Sequence, residues 1–385
     1  MRVAHVITRL IVGGAQENTV ATVFGLHRKA DVTVRLYSGP TTGPEGSLES
    51  GVRDIEGLLH LIPSLIRPVH PLRDFLAYCH LVREFKNFRP DIVHTHSGKA
   101  GLIGRLAAKR AGVPLIIHSI HGPSFGPFQG RIANALFSEA ERFAGSRTDH
   151  FITVANAMRD QYLAAGIGSR EDYTQIFSGF PLEPYLATEN APSIRKKLGL
   201  LNDDFVVGKI ARLFELKGHE DLFTVAPRLA KRVPNIRFLL VGDGVWRESF
   251  ERLAKRIGCE ENFVFTGLVP PKDIPSLVGV MDCLVHLSRR EGLPRALPQA
   301  MAVGKPVVAF DCDGAGEVCL DGETGALIHP GDLAKLEDSL VRLAKDEALR
   351  QSLGQSAQVF VKEKFTVERL VEDQYQLYQR LLSKR

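Results

Sequence analysis

Two series of short β-branched runs, each alternating with segments of helical apolar spacing, constrain the fold of this 385-residue chain more than any other feature. Such alternation is typical of parallel sheets that are covered by helices on both faces. Two series predict two doubly wound α/β domains, and the length also exceeds that of one ordinary core. The predicted strands are 3–8, 32–37, 91–95, 115–119 and 150–154, then 206–211, 237–241, 263–265, 283–286 and 306–310.

The break between the two series falls at 177–181, ahead of a polar stretch. The predicted domains are therefore 1–178 and 179–365. A final amphipathic helix, 366–385, carries a mostly apolar stripe that includes Leu370 and Tyr378. A helix so late in the chain is expected to cover a sheet face or to cross back to the first domain.

Composition excludes several classes of protein. The chain is 44% hydrophobic and 24% charged, as is usual for a soluble globular protein. Its apolar runs are shorter than the roughly 18 residues of a membrane span. The N-terminus has the pattern of a first strand rather than of a signal peptide, so we expect a cytoplasmic protein. A net charge of +5 is too small to indicate a nucleic-acid partner.

The charge is concentrated in one segment. Residues 61–136 contain ten lysines and arginines against three acids, a balance of +7. Such a segment is either a solvated helix surface or a peripheral contact with anionic lipid, at the inner face of the membrane in a cytoplasmic protein.

Two glycine-containing turns follow predicted strands. Gly13-Gly14 precedes a helical pattern, where glycine either forms a tight turn or lets the backbone approach a phosphate. Gly242-Asp243-Gly244 resembles the start of a dinucleotide fingerprint, but Arg247 stands where the third glycine belongs. A nicotinamide-binding site is therefore disfavoured, and a turn at a strand end that lines a ligand cleft is the better interpretation.

Two polar segments after strands of the second series suit a sugar nucleotide. Arg212 and Lys217 lie between a strand and a helix, where a guanidinium fork and a point charge suit a diphosphate, although both could be solvated cations. Glu291 and Gln299 lie about two turns apart, and share a helical face if the helix begins at Pro294. Gly292 would then expose a backbone N–H at that helix's N-terminus.

Histidines stand at strand ends of the first series. His94 and His96 form an H-x-H pair, and His121 follows the next strand. A metal site is disfavoured, because no cysteine or carboxylate pair lies nearby in the sequence. Strand-end side chains in a doubly wound sheet more often line the ligand crevice.

Together these motifs resemble glycosyltransferase family 4, retaining nucleotide-sugar transferases of the GT-B fold, over nearly the whole chain. The resemblance rests on the Gly-Gly-Ala-Gln, Asp-Ile-Val-His-Thr-His and His-Gly runs of the first domain. In the second domain it rests on Ala-Arg-Leu…Lys-Gly-His, Val-Gly-Asp-Gly and Glu-Gly-Leu-Pro…Gln-Ala-Met-Ala-Val-Gly-Lys-Pro. It implies two Rossmann-like domains facing a central cleft, with the C-terminal helix crossing back to the first domain.

The resemblance also implies roles for individual residues. Arg212 and Lys217 resemble the pair that holds the donor diphosphate. Glu291 resembles the first Glu of the family's Glu–seven residues–Glu motif, which contacts the donor sugar. His121 resembles the cleft histidine near the transferred sugar, and Gly14 the glycine whose backbone approaches the phosphates.

The predicted donor contacts also include Gly242, Gly292, Leu293 and Gln299. Two departures from the family pattern stand out. The second Glu of the motif is Gln299, which puts a ribose contact in question although an amide oxygen still accepts a hydrogen bond. The usual Asn-Gly-hydrophobic-Asp near the hinge is replaced by the sequence at 178–181.

The resemblance implies transfer of a sugar from a UDP- or GDP-linked donor to an acceptor hydroxyl with retained anomeric configuration, without metal or cofactor. Cell-surface glycan or glycolipid synthesis is the expected setting, with a glycan, lipid-linked or small-molecule acceptor. The alternatives are a nucleotide-sugar epimerase of the same fold and a non-catalytic module that only binds a sugar nucleotide.

Overall fold

The structure, a computed structural model, describes residues 1–42, 46–126 and 128–385. The chain divides into two compact units, Met1–Phe180 with Phe365–Arg385, and Pro181–Lys364. The boundaries predicted from the sequence are 178 and 365, within two residues of these. Among the described helices, none is both long enough and apolar enough to cross a membrane.

The first unit is a seven-stranded parallel sheet in the order β3-β2-β1-β4-β5-β6-β7. Its strands are β1 (Arg2–Ile7), β2 (Thr33–Ser38), β3 (Leu59–Leu61), β4 (Ile92–His96), β5 (Leu115–Ile120), β6 (His150–Thr153) and β7 (Tyr173–Gln175). Its helices are α1 (Gly14–His27), α2 (Glu49–Arg53), α3 (Pro71–Phe88), α4 (Gly98–Ala111), α5 (Arg131–Gly145), α6 (Asn156–Ala164) and the last helix of the chain, α15 (Val367–Leu382).

The second unit is a six-stranded parallel sheet in the order β10-β9-β8-β11-β12-β13. Its strands are β8 (Phe205–Ile210), β9 (Ile236–Val241), β10 (Phe263–Gly267), β11 (Cys283–His286), β12 (Val307–Phe310) and β13 (Gly325–Ile328). Its helices are α7 (Glu183–Leu186), α8 (Pro192–Lys197), α9 (His219–Arg232), α10 (Arg247–Arg256), α11 (Ile274–Gly279), α12 (Ala296–Ala302), α13 (Leu333–Lys345) and α14 (Glu347–Lys364).

The ten predicted strands are all present, each within one or two residues of its predicted bounds. Three further strands, β3, β7 and β13, were not predicted. Each has only three or four residues, lies at a sheet edge and is only partly buried. Short edge strands need little apolar patterning, because one side of the strand remains unpaired.

The last helix completes the core of the first unit. Leu370, Leu377 and Tyr378 of α15 are buried in the same cluster as residues of α1 and β1. The two helices approach so closely that a Cβ at Gly25 would lie 2.2 Å from a Val371 methyl carbon. Burying side chains of this size stabilises a fold by roughly 1.5–3 kcal/mol each, so α15 is an integral part of this unit.

The strand order places a switch point in each sheet. In the first sheet the chain continues from β1 to β2 and β3 on one side, and then adds β4 on the other side of β1. In the second sheet, β8 and β11 occupy the positions that correspond to β1 and β4. Open α/β sheets bind ligands beyond the carboxyl ends of the strands at such a point. The two switch points are therefore the places where functional side chains are expected.

Candidate active site

The predicted diphosphate and sugar residues of the second unit meet at its switch point. Lys217 lies in the loop from β8 to α9, and Glu291 lies in the loop after β11. The Lys217 ammonium lies 2.5 Å from Glu291 Oε1, and Ser288 Oγ donates a hydrogen bond of 2.9 Å to the same oxygen. Both charged side chains are 21% exposed, so the pair lies at the edge of the unit rather than in its core.

Glu291 is ionised in this environment. Burial alone would raise its pKa, but neighbouring positive charge and the hydrogen bonds from Lys217 and Ser288 lower it. His286 lies 3.6 Å from the same carboxylate oxygen. Because burial lowers the pKa of His286 to about 4, that ring is neutral at pH 7, and Lys217 supplies the charge that stabilises the carboxylate.

The loop that carries Glu291 is fixed by a second carboxylate. The Glu291 backbone N–H donates a 2.6 Å hydrogen bond to Asp313 Oδ2, and the Gly314 N–H donates to the Gly292 carbonyl at 3.1 Å. Asp313 has a φ of 51°, which L-residues rarely adopt. The loops after β11 and β12 are thereby joined around the carboxyl end of the sheet.

The two predicted diphosphate cations have different surroundings. The Arg212 side chain is exposed, and within the described residues its guanidinium forms no ion pair or hydrogen bond. Its backbone carbonyl instead accepts a 3.0 Å hydrogen bond from the buried ring of His219, which fixes the start of the loop. Arg212 therefore offers an uncommitted bidentate donor, whereas Lys217 is already paired with Glu291.

Gly242 has a structural reason for being glycine. Its φ is 134°, and a Cβ there would lie 2.3 Å from the Ala211 carbonyl oxygen. The Leu213 N–H donates to the Asp243 carbonyl at 3.0 Å, so the turn after β9 is bonded to the loop after β8. These contacts explain the glycine as a close turn at a strand end. A donor contact of its own remains a prediction.

The helix expected after Glu291 begins later than predicted. It begins at Ala296 rather than Pro294, so Glu291, Gly292 and Leu293 precede it and Gln299 lies within it. The expectation that Glu291 and Gln299 share a helical face, with Gly292 at the helix N-terminus, is therefore wrong. A proline fits most easily in the first helical turn, and the later start places Pro298 there. Gln299 is half-buried, and its amide has no hydrogen-bond partner within the described residues.

In the first unit, Gly14 is exposed and is the first residue of α1, after β1. The preceding Gly13 has an extended conformation, φ 175°, which any residue can adopt. A tight turn therefore does not account for this pair of glycines. The backbone N–H groups of the first helical turn have no partner inside the helix, and the approach of Gly14 to the phosphates stays a prediction.

His121 belongs to a buried cluster at the switch point of the first sheet. His5 of β1 lies beside His94 of β4 in register, and His96 lies two residues further along β4. His121 Nε2 lies 3.1 Å from His96 Nδ1, and His96 Nε2 lies 2.9 Å from His5 Nδ1. His94 is bonded elsewhere, with Nε2 2.7 Å from Ser119 Oγ and Nδ1 2.5 Å from the Tyr378 hydroxyl.

The rings of His5, His94 and His96 each offer a nitrogen within 4.8 Å of the others, a grouping that could hold a metal ion. Their orientation does not favour one. The His94 and His96 rings lie face against face, with centroids 4.2 Å apart and planes at 35°, so their in-plane lone pairs do not converge. Five of the six nitrogens also have hydrogen-bond partners that metal binding would displace.

Sequence reasoning missed four residues of these two clusters, namely His5, His286, Ser288 and Asp313. Two of them left a signal in the sequence. His5 occupies β1 at a position where the apolar pattern is interrupted, and His286 ends a strand just before the Glu291 motif. Ser288 and Asp313 lie in loops, and no periodicity predicts which way a loop side chain points.

Two family models together match most of the chain. The model described as Glycosyltransferase Family 4 matches residues 12–183, and that described as Glycosyl transferases group 1 matches residues 190–360. The divide between the two matched ranges falls close to the divide between the two units.

Known proteins resemble the chain over most of its length. An Escherichia coli relative named UDP-Gal:alpha-D-GlcNAc-diphosphoundecaprenol alpha-1,3-galactosyltransferase is 26% identical, covering 91% of this chain and 89% of its own. A GDP-mannose-dependent alpha-(1-6)-phosphatidylinositol monomannoside mannosyltransferase of Mycolicibacterium smegmatis is 29% identical over 66% of each chain.

Solved structures agree in fold. Anabaena HepE in complex with UDP superposes with a TM-score of 0.82 at 23% identity, over 99% of this chain and all of that one. The apo lipopolysaccharide outer core galactosyltransferase WaaB gives a TM-score of 0.75 at 17% identity, over 99% of this chain and all of that one. With its two parallel α/β sheets and these matches, the chain belongs to the group 1 glycosyltransferases of the GT-B fold.

Proposed function

We propose that the protein transfers a sugar from a nucleoside-diphosphate sugar to an acceptor hydroxyl with retention of the anomeric configuration, without a metal or cofactor. The observation that carries this proposal is the arrangement at the switch point of the second unit. There two adjacent loops at the carboxyl end of the sheet carry the exposed Arg212 and the Lys217–Glu291 pair. Cations there suit a diphosphate, and a fixed carboxylate suits sugar hydroxyls.

Donor binding changes the partner of Lys217. Its ammonium contacts Glu291. A donor diphosphate attracts the same ammonium, together with Arg212, and this exchange frees Glu291 to accept hydrogen bonds from the sugar. Because Glu291 also holds a hydrogen bond from Ser288, its carboxylate keeps its position when Lys217 moves.

In the transfer step, the bond between the anomeric carbon and the diphosphate oxygen breaks, and its electron pair leaves with the oxygen. The acceptor oxygen bonds to the same face of the anomeric carbon, and its proton passes to the departing phosphate oxygen. Arg212 and Lys217 stabilise the negative charge that develops on the leaving group. Each such fixed donor contributes on the order of 3 kcal/mol in comparable sites.

The experiment that tests this function is turnover on a panel of UDP-glucose, UDP-galactose, UDP-N-acetylglucosamine and GDP-mannose, with the product anomer read by NMR. Names of relatives support both donor bases, since one uses UDP-Gal and another GDP-mannose. A retained anomer, with activity that survives excess EDTA, is expected. An inverted anomer, or loss with EDTA that magnesium restores, would refute the mechanism. Conversion of donor alone would indicate an epimerase, and binding without turnover a non-catalytic module.

We further propose a lipid-linked acceptor, in cell-surface glycan or glycolipid synthesis, reached by peripheral contact with an anionic membrane at the cytoplasmic face. The names of both relatives contain a lipid-linked acceptor, diphosphoundecaprenol or phosphatidylinositol monomannoside. The basic segment 61–136 supports the contact, but only part of its charge is available. Arg105 is buried against Glu141, and Lys99 is paired with Asp74.

Exposed apolar side chains in the same region strengthen this proposal. Ile132 on the first turn of α5 is 80% exposed, and the first turns of α3 expose Leu72, Phe75 and Leu76. Arg73 and Arg131 lie on the same first turns. Helix α4 packs against both α3 and α5, so the three helices form one layer. Exposed apolar groups among cations are typical of a surface that meets anionic lipid.

Sedimentation with phosphatidylglycerol vesicles tests the contact. We expect binding that weakens with salt, because charge is screened over about 8 Å at physiological ionic strength. Replacing Leu72 and Phe75 by serine should reduce binding several-fold. The matched control, Leu268→Ser, changes an equally exposed leucine of the second unit and should bind as wild type. No sedimentation at low salt would refute the contact.

A further inference from the structure

Three imidazoles of the first unit form an in-line chain from the interior to the carboxyl edge of the sheet. His5 bonds to His96, and His96 bonds to His121. Their ring centroids lie 5.2 and 5.4 Å apart, with planes inclined by 13° and 27°. Because the bonded nitrogens lie only 2.9 and 3.1 Å apart, the rings meet edge to edge, as linear hydrogen bonds require.

The chain carries no charge at neutral pH. Burial lowers the pKa of His5 to about 3 and that of His121 to about 4, and it lowers the pKa of His96 well below its ordinary value. Each ring therefore has one N–H and one bare nitrogen. In such a chain the two hydrogen bonds must point the same way, so the proton position on His5 determines that on His121.

The buried end of the chain favours one direction. His5 Nε2 is buried and has no hydrogen-bond partner within the described residues. Orphaned N–H groups are rarer in protein interiors than under-satisfied acceptors, so this nitrogen is the bare one and Nδ1 carries the proton. His5 Nδ1–H then donates to His96, and His96 Nδ1–H donates to His121 Nε2. The proton of His121 is left on Nδ1.

We propose that His5 and His96 are positioning residues, which hold His121 in the tautomer that presents Nδ1–H as a hydrogen-bond donor. This inference rests on the proposed function and on the role near the transferred sugar that the family resemblance predicts for His121. His121 is half-buried, and its Nδ1 has no partner within the described part of the chain, so this donor is available to a ligand. Which ring nitrogen is protonated is set by the bond that the other one makes.

The backbone beside the chain is strained, which is a second mark of a functional position. Ser97 directly follows His96 and has φ 67° and ψ 161°, a region that L-residues rarely adopt. Such strain persists where the surrounding structure enforces it, and it is common at ligand sites. The His94 ring, which is bonded to Ser119 and Tyr378, packs on the His96 ring and restricts its rotation.

Long-range ¹H–¹⁵N correlation spectra of ¹⁵N-histidine-labelled protein measure the tautomer directly, and a His121→Asn spectrum assigns the signals. We expect His121 to carry its proton on Nδ1 in the wild type. In His96→Asn the amide nitrogen replaces Nδ1–H, so the tautomer should be kept. In His96→Leu it should become mixed, and kcat should fall about ten-fold, the effect of one net hydrogen bond, while the donor KM stays within two-fold.

His5→Leu and His5→Asn form a second pair, which tests the same chain if His96→Leu does not fold. In His5→Leu we expect a mixture of the two His121 tautomers, and in His5→Asn we expect His121 to keep its proton on Nδ1. A wild-type proton on Nε2, or a tautomer unaffected by both leucine variants, would overturn the proposal. If the tautomer shifts as expected but kcat does not, the chain exists but His121 does not serve transfer, so the site assignment fails instead.

Discussion

The two units share a sheet topology but carry opposite chemistry at their switch points. In the first unit, the side chains of β1 and β4 at this place are neutral imidazoles that are fully buried. In the second unit, the corresponding loops after β8 and β11 bring an ammonium and a carboxylate together at 2.5 Å, with both side chains partly exposed. The same backbone frame therefore supports two kinds of polar cluster.

The difference follows from how far each cluster lies below the surface. Burial penalises charge, so histidines inside the sheet stay neutral and are satisfied by hydrogen bonds to one another and to hydroxyls. An ion pair at the edge keeps part of its hydration and can exchange partners with an incoming ligand. The first unit is thus suited to holding a fixed hydrogen-bond pattern, and the second to binding a charged group.

The largest expected difference between the two units is in how much stability each loses in acid. Among the described residues, seven histidines of the first unit have lowered pKa values against two of the second, His219 and His286. Such groups bind protons near pH 6.5 in the unfolded chain but only at lower pH in the folded chain, near pH 4 or below for His5, His121, His150, His219 and His286. Stability is therefore lost as the pH falls through this window, by up to about 1.4 kcal/mol per pH unit for each group.

This comparison can be measured with one natural probe. Trp246 is the only tryptophan and lies in the second unit, so its fluorescence reports that unit while far-UV circular dichroism reports both. On acidification from pH 7 to pH 4, we expect ellipticity to fall before the fluorescence changes. Coincident transitions, or an earlier change at Trp246, would show that the histidine-rich unit is not the more acid-sensitive one.

Removing the cations at the switch point of the second unit should have the next largest effect, on kcat. Lys217→Ala and Arg212→Ala should each lower kcat about 100-fold or more, because each removes a charge-assisted donor from the leaving group. Binding of the bare nucleoside should barely change. Lys272→Ala is the matched control, since Lys272 is exposed and forms no ion pair within the described residues. Near-normal turnover in both site variants would contradict the assignment.

Tyr378→Phe should destabilise the first unit without changing the proposed donor-binding residues of the second unit. It removes the hydroxyl that bonds His94 Nδ1 and leaves that buried nitrogen without a partner, at a cost of about 1–3 kcal/mol. Tyr375→Phe on the same helix is the control, since its hydroxyl bonds Asp31 at the surface and should cost less than about 0.5 kcal/mol. Urea unfolding measures both, and equal losses would argue against a special role for His94.

Gln299→Glu should have the smallest effect. A carboxylate accepts ribose hydroxyl protons more strongly than an amide does, by roughly 1 kcal/mol. Ribose binding is similar in the ground and transition states, so the donor KM should fall several-fold while kcat stays within a few-fold. Glu291→Ala should instead reduce kcat strongly. Loss of turnover in Gln299→Glu would show that the neutral amide has a role of its own.

The sequence predicted the central strands well and the edges poorly. All ten predicted strands are present, and nine of them lie inside a sheet, where continuous apolar runs mark them. Three of the four edge strands, β3, β7 and β13, carry little pattern and were missed. The helix that contains Gln299 was predicted to begin too early, because apolar spacing does not show in which turn Pro298 can be accommodated. The likeness to family 4 could be read from motifs, since each motif is one continuous segment of the chain.

By itself, the sequence determined the two α/β units, the family and the residues of each single motif, because periodicity and turn chemistry are local properties. Only the tertiary structure decided which motifs meet. Lys217 and Glu291 are 74 residues apart in the chain and bond through two loops at one sheet edge. His5 and His96 are 91 residues apart and bond because β1 and β4 are neighbours in register. Such pairings depend on strand order and burial, which act between segments and leave no trace in the spacing within either one.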